Sequence, residues 1–179
     1  MIEIRWHGRG GQGAVTASQL LAKACVNQGM YAQAFAMYGP ERRGSPVVAF
    51  TRIDNETIEI RANIYEPDIV VVFDTLLMDV VDVTAGLKTR KTIILNTNSS
   101  PEELKQDFPN FNISTIDATQ IALDTLGVPI TNTVMLGSLI KTSGIVNLDN
   151  IIEVVLERFD KKNVQAVKEA YEKTKILEI

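Results

Sequence analysis

The chain is predicted to fold as one α/β domain, a Rossmann-like layered structure whose mixed sheet contains one antiparallel hairpin. Three observations point there. Ile69-Val70-Val71-Val72-Phe73 is a continuous apolar run of the kind found in central parallel strands covered on both faces. Strand-like and helix-like segments alternate along most of the length, the pattern of an α/β protein. Val47–Ile53 and Thr57–Arg61 are two β-rich runs around the polar turn Asp54-Asn55-Glu56, the spacing of a hairpin.

The elements follow in order. Ile2 to His7 alternates, with Ile2, Ile4 and Trp6 on one face and Glu3, Arg5 and His7 on the other, so the strand should be half-buried. Its polar face suits either a neighbouring subunit or solvent. Glycines at 8, 10, 11 and 13 end the strand. Ala14 to Gln28 then reads as a helix, with Leu21, Cys25 and Gln28 sharing a face with Ala17 or Ser18 and Gly29 as its stop. A second strand is expected over Tyr31–Met37. The loop from Tyr38 to Pro46 carries two Pro, two Gly and the adjacent Arg42 and Arg43.

Beyond the central run, a helix is expected over about 75–85, a strand over Thr92–Asn96, and a short helix after Ser99-Ser100-Pro101-Glu102. A strand near Asn112–Ile116 follows. Asp117 can cap a helix over Ala118–Leu126, and Thr131 or Asn132 can open another that runs through Leu139 and Ile140 to Gly144. Asn147–Phe159 carries the stripe Leu148, Ile151, Ile152, Val155 and Phe159, and 161–175 carries Val164, Val167 and Tyr171 among charges, so both read as amphipathic helices. No repeat or linker divides residues 1–179.

Composition narrows the chemistry. With 179 residues, 45% hydrophobic and 22% charged, the chain suits a single folded core. A formal net charge of -4 argues against broad nucleic-acid binding. One cysteine, Cys25, cannot hold an iron–sulfur cluster, which takes about four thiolates, and its place on the apolar helix stripe marks it as an inert core thiol. The first residues lack the pattern of a secretion signal, and the apolar runs fall far short of the ~20 residues that span a bilayer. A cytoplasmic protein without membrane contact is expected. No metal-ligand set and no catalytic nucleophile stand out. His7, the one histidine, has no orienting partner in view and reads as a structural hydrogen-bonding residue.

The candidate site is Gly8-Arg9-Gly10-Gly11-Gln12-Gly13. These residues match G-x-G-x-x-G at a strand-to-helix junction, where bare amides and the helix dipole can hold a phosphate. A dinucleotide site would also place an acidic residue near the end of the next strand, and Tyr31–Met37 contains none. A nucleoside-triphosphate loop would follow with Lys and Ser or Thr, where Ala14 and Val15 stand. A tight turn without a ligand is the alternative. Arg42 and Arg43 can pair with phosphates or with carboxylates across an interface.

The run Trp6-His7-Gly8-Arg9-Gly10-Gly11-Gln12-Gly13, followed by Tyr38-Gly39-Pro40-Glu41-Arg42-Arg43-Gly44-Ser45-Pro46-Val47-Val48-Ala49-Phe50-Thr51-Arg52-Ile53, resembles the gamma subunit of 2-oxoacid:ferredoxin oxidoreductases. The likeness continues through Ile64–Asp68 and Asn132–Gly137 in the same order. Its arginine loop is closest to the pyruvate type (pyruvate synthase; domain III where the enzyme is one chain), with the 2-oxoisovalerate type near. The resemblance implies an enzyme of anaerobic metabolism in which thiamine diphosphate decarboxylates the 2-oxoacid, iron–sulfur clusters pass electrons singly to ferredoxin, and coenzyme A takes the acyl group. It further implies alpha, beta and ferredoxin-like delta subunits as partners, on separate chains given the end at Ile179. In such an assembly this chain would be a supporting subunit, inactive alone. Gly8, Arg9, Gly10, Gly11, Gln12, Gly13, Arg42 and Arg43 would face coenzyme A or the partner subunits. A stand-alone nucleotide-binding oxidoreductase and a non-catalytic interaction module are the competing readings.

Overall fold

Strand β1, Ile2–Arg9, is an interior strand, third from one edge of a mixed seven-stranded sheet. The computed structural model describes residues 1–38 and 44–179, and the elements below are those among them. After β1 come helix α1 (Ala14–Asn27) and strands β2 (Tyr31–Tyr38), β3 (Pro46–Asp54), β4 (Ile69–Val72), β5 (Thr92–Asn96) and β6 (Asn112–Ile116). Helices α2 (Ala118–Leu126), α3 (Asn132–Ser143), α4 (Leu148–Arg158) and α5 (Lys161–Lys173) follow, and strand β7 (Lys175–Leu177) ends the order.

The strand order is β2-β3-β1-β4-β5-β6-β7. Strands β1, β4, β5 and β6 run parallel, whereas β3 pairs antiparallel with both β1 and β2, and β7 with β6. The sheet is mixed as expected, but its hairpin is β2–β3. Residues 57–61 form no strand. They alternate like one, yet Gln33 Nε2 donates to Ile58 O at 2.9 Å and Arg52 Nη1 to Ile60 O at 3.4 Å. Side chains of the sheet thus hold the segment across a face, in place of a backbone ladder.

The helices cover one face. Ile4, Trp6, Val71, Phe73 and Ile94 pack there against α1, α3 and α5, and α3 is enclosed from Asn132 to Ile140. α3 and α5 approach closely at Gly137, where a Cβ would stand 2.4 Å from Val167 O. The opposite face buries Val70, Val72, Ile93, Leu95 and Ile113 under Val83, Leu87 and Phe108, which lie in irregular segments.

Two expected helices are absent there. A 3-10 turn spans Thr75–Asp79, after which Asp82 Oδ1 accepts from both Thr84 N and Thr84 Oγ1, diverting the chain into a local turn. The β-branched Val80, Val81, Val83 and Thr84 also disfavour helix continuation. At the second site the start signal is real: Ser100 N donates to Glu103 Oε2 at 2.7 Å and Glu103 N to Ser100 Oγ at 3.4 Å. Only turns follow, and Pro109 lies directly beyond.

The polar face of β1 also departs from expectation. Arg5 and His7 are buried by this chain itself, at 8% and 5% exposure, so they form no surface for a neighbour. Arg5 Nη2 donates to Val83 O and Ala85 O at 3.0 and 2.6 Å, and Arg5 Nε to His7 Nε2 at 3.0 Å. His7 is therefore a structural acceptor. Burial, and then the neighbouring Arg5 charge, push its pKa down to about 4. No helix among the described residues is long and apolar enough to cross a membrane.

Candidate functional site

The glycine turn leaves β1 at the carboxyl edge of the sheet's parallel strands, the edge where open α/β sheets bind ligands. Its shape follows from its residues. Gly11 and Gly13 take φ of +99° and +86°, the left-handed region that glycine enters at low cost. A Cβ on Gly8 would meet Ala14 Cβ at 3.1 Å, so that glycine lets the first turn of α1 close onto the strand. Gln12 clamps the turn from inside: its Oε1 accepts from Arg9 N at 2.7 Å, while its own amide donates to Arg9 O at 3.0 Å.

Arg9 is fixed in the same way. Its Nε donates to Asp74 Oδ2 at 2.7 Å, at the carboxyl end of β4, and its Nη1 to Gly44 O at 3.3 Å. Gly10 N donates to Ser45 O at 2.9 Å and Gly44 N to Gly10 O at 3.3 Å. The turn is thereby stitched to the residues that close the arginine-bearing loop. Arg42 and Arg43 lie outside the described residues.

Not every expected donor is available. The amides of Arg9 and Gln12 are consumed within the turn, and that of Gly10 by Ser45 O. Those of Gly11, Gly13, Ala14, Val15 and Thr16 find no acceptor among the described residues, and Gly13 caps α1 without a side-chain bond. The open donors are therefore the last part of the turn and the first turn of α1. They carry the partial positive charge of a helix N-terminus.

Asn132 is a neighbour that the sequence marks as a helix opener and as the start of the 132–137 run of the resemblance, but not as part of the site. A Cβ on Gly13 would stand 2.8 Å from Asn132 Cβ and 3.0 Å from its Nδ2, so glycine at 13 is required by this contact as well as by its φ. No sequence signal joins two residues so far apart in the chain. Cys25 is fully buried on α1, and burial pushes its thiol up to about 12, which leaves it protonated and inert. The described residues hold no cluster of His, Cys, Asp and Glu fit for a metal.

The topology also removes the dinucleotide geometry. The strand that follows α1 does not lie beside β1; β3 stands between them. Gln33, on β2, spends its amide on Ile58 O.

Residues 3–173 match the family model for pyruvate ferredoxin/flavodoxin oxidoreductase. The chain belongs to this family. The common gamma subunit of the pyruvate/ketoisovalerate oxidoreductases of Pyrococcus furiosus is 51% identical over an alignment covering all of both chains. Subunit PorC of the pyruvate synthase of Methanothermobacter marburgensis is 52% identical over 98% of each. The crystal structure of the pyruvate oxidoreductase subunit PORC of Thermotoga maritima superposes with a TM-score of 0.88 at 39% identity, over 99% of this chain and 98% of that one. The resemblance carried by Trp6–Gly13 and the 38–53 run is borne out, as is the α/β class. The chain is a subunit of an oxidoreductase assembly of this family.

Proposed function

We propose that this chain is the gamma subunit of a pyruvate:ferredoxin oxidoreductase, and that its glycine turn and arginine loop receive the phosphates of coenzyme A where the alpha and beta subunits meet it. The observation that carries the reading is the set of open amides at Gly11 and from Gly13 to Thr16, on a turn stitched through Gly10, Gly44 and Ser45 to the loop that bears Arg42 and Arg43. Coenzyme A carries a pyrophosphate and a 3′-phosphate. A chain of net charge -4 offers no general attraction to such a ligand, so binding must come from local donors. Helix amides and forked guanidinium groups are those donors.

The donor set fits phosphates and nothing harder. Bound in the assembly, coenzyme A supplies the thiol that accepts the acyl group, thiamine diphosphate the decarboxylating centre and the clusters the electron path to ferredoxin. This chain's part is to orient the phosphate end and complete the subunit contacts, delta included. Its relatives' names support pyruvate, and in Pyrococcus furiosus ketoisovalerate as well. A phosphate-holding subunit can serve both, because it need not touch the 2-oxoacid.

Replacing Arg42 and Arg43 together by alanine in the reconstituted complex tests this. Losing one charge-assisted phosphate contact, ~1.5–3 kcal/mol, raises the coenzyme A Michaelis constant about ten- to a hundredfold while ferredoxin reduction persists at saturating coenzyme A. An unchanged constant in a complex that assembles normally overturns the assignment.

A further inference from the structure

Two helices, not one, end at the glycine turn. Gly13 caps α1, and against it lies Asn132, the first residue of α3. Neither helix has a side-chain N-cap bond, and neither carries an acidic residue in its first turn. Their partial positive charges therefore face one another without an internal counter-charge. Helix α5, whose Asn163 accepts from Thr133 Oγ1 at 3.2 Å, closes its own end with Asp160, and Asp74 is occupied by Arg9.

The side chains at this junction point the same way. Asn132 is 5% exposed; its Oδ1 accepts from Thr133 N at 2.8 Å, and its Nδ2 has no acceptor among the described residues. That nitrogen lies 3.0 Å from where a Gly13 Cβ would be, beside the open amides of α1. Thr131 is also buried, and its Oγ1 has no partner among the described residues. Asn132 is almost wholly buried, yet its two N–H groups are left for an acceptor that reaches the junction.

We propose that the N-termini of α1 and α3 form a single cradle for a phosphoryl group, to which Asn132 donates through Nδ2. The proposal rests on the coenzyme A reading and deepens it. One phosphoryl group of that molecule sits at the Gly13–Asn132 junction, and Asn132 selects it by offering donors only. The two open helix ends supply charge complementarity for a dianion, and the spent Oδ1 keeps the carboxamide from turning its acceptor toward it.

Asn132→Asp separates binding from structure. Asp keeps the acceptor for Thr133 N and is an equally good residue at a helix start, so the full chain retains its thermal stability. It deletes both donors and adds a negative charge. Inorganic pyrophosphate is the probe: it raises the Tm of the wild-type chain in proportion to the logarithm of its concentration and leaves the Asp variant unmoved. In the reconstituted complex the same variant raises the coenzyme A Michaelis constant at least tenfold with kcat retained. Asn132→Ala, which removes the donors without adding charge, replaces it should the Asp variant not fold. Equal pyrophosphate stabilisation of wild type and variant, or an unchanged Michaelis constant, overturns the proposal. If the Arg42/Arg43 variant raises that constant while the Asn132 variants do not, this inference fails and the subunit's function stands; if none does, both fail.

Discussion

Replacing Arg52 by methionine should loosen one layer of the molecule rather than one contact. Arg52 is 2% exposed on β3, its Nε donates to Glu3 Oε1 at 2.7 Å, and its Nη1 and Nη2 reach Ile60 O and Asn63 O at 3.4 and 3.3 Å. Its guanidinium also lies 5.3 Å from the ring centre of Phe35, which stacks on Phe50. Methionine keeps the apolar stem and removes every one of these links. Breaking a buried ion pair from one side costs ~3–5 kcal/mol, and because Glu3 is partly exposed and the carbonyl contacts are long, about 3 kcal/mol is expected here. For a chain of this size that lowers Tm by roughly 6–12 °C, measurable by calorimetry. Limited proteolysis supplies the sharper reading: cleavage within residues 57–63 should quicken beyond the global change, since Arg52 ties the carbonyls of Ile60 and Asn63 to the sheet. Adding Glu3→Gln should recover part of the loss by removing the orphaned carboxylate. A methionine variant with unchanged Tm and unchanged cleavage at 57–63 would refute the argument.

Two further outcomes follow from buried groups. His7 titrates near 4 in the folded chain and near ~6.5 when unfolded, so between those values the unfolded state binds the extra proton and stability falls as pH drops, by at most about 1.4 kcal/mol per pH unit. Urea unfolding at a series of pH values should show this slope, and His7→Gln should flatten it; an identical slope in the variant would contradict the assignment. Gly137→Ala sets a Cβ 2.4 Å from Val167 O and 3.0 Å from Ala170 Cβ, so overpacking of ~1–3 kcal/mol should exceed the ~1 kcal/mol gained in helix preference. A rise in Tm for this variant would show that α3 and α5 part easily.

The parallel half of the sheet was legible because its signals are local. Thr92–Asn96, Asn112–Ile116 and the Asp117-capped helix stand where periodicity and capping put them. The second face was not, because its cover is irregular and held by single side chains: Arg5 and Arg52 look like surface charges in an alternating strand, and only the fold shows which carbonyls they meet. Strand β7 has no counterpart in the sequence reading, whose last helix ends at Lys175, since three residues are too few to display a period. At the site, the glycines announced an open helix end. Which amides stay open, and that Asn132 abuts Gly13, depend on a contact between residues more than a hundred positions apart.

The enclosure of α3 has a mechanical consequence. A twelve-residue helix, roughly 18 Å long at 1.5 Å per residue, is walled in along most of its length and pinned sideways at Gly137. Close packing leaves it little room to bend or slide, so Asn132 at one end and Gly144 at the other are held by the same rod. The subunit thus joins the rim at Gly13 and Asn132 to its flank at Gly144 through one closely packed rod.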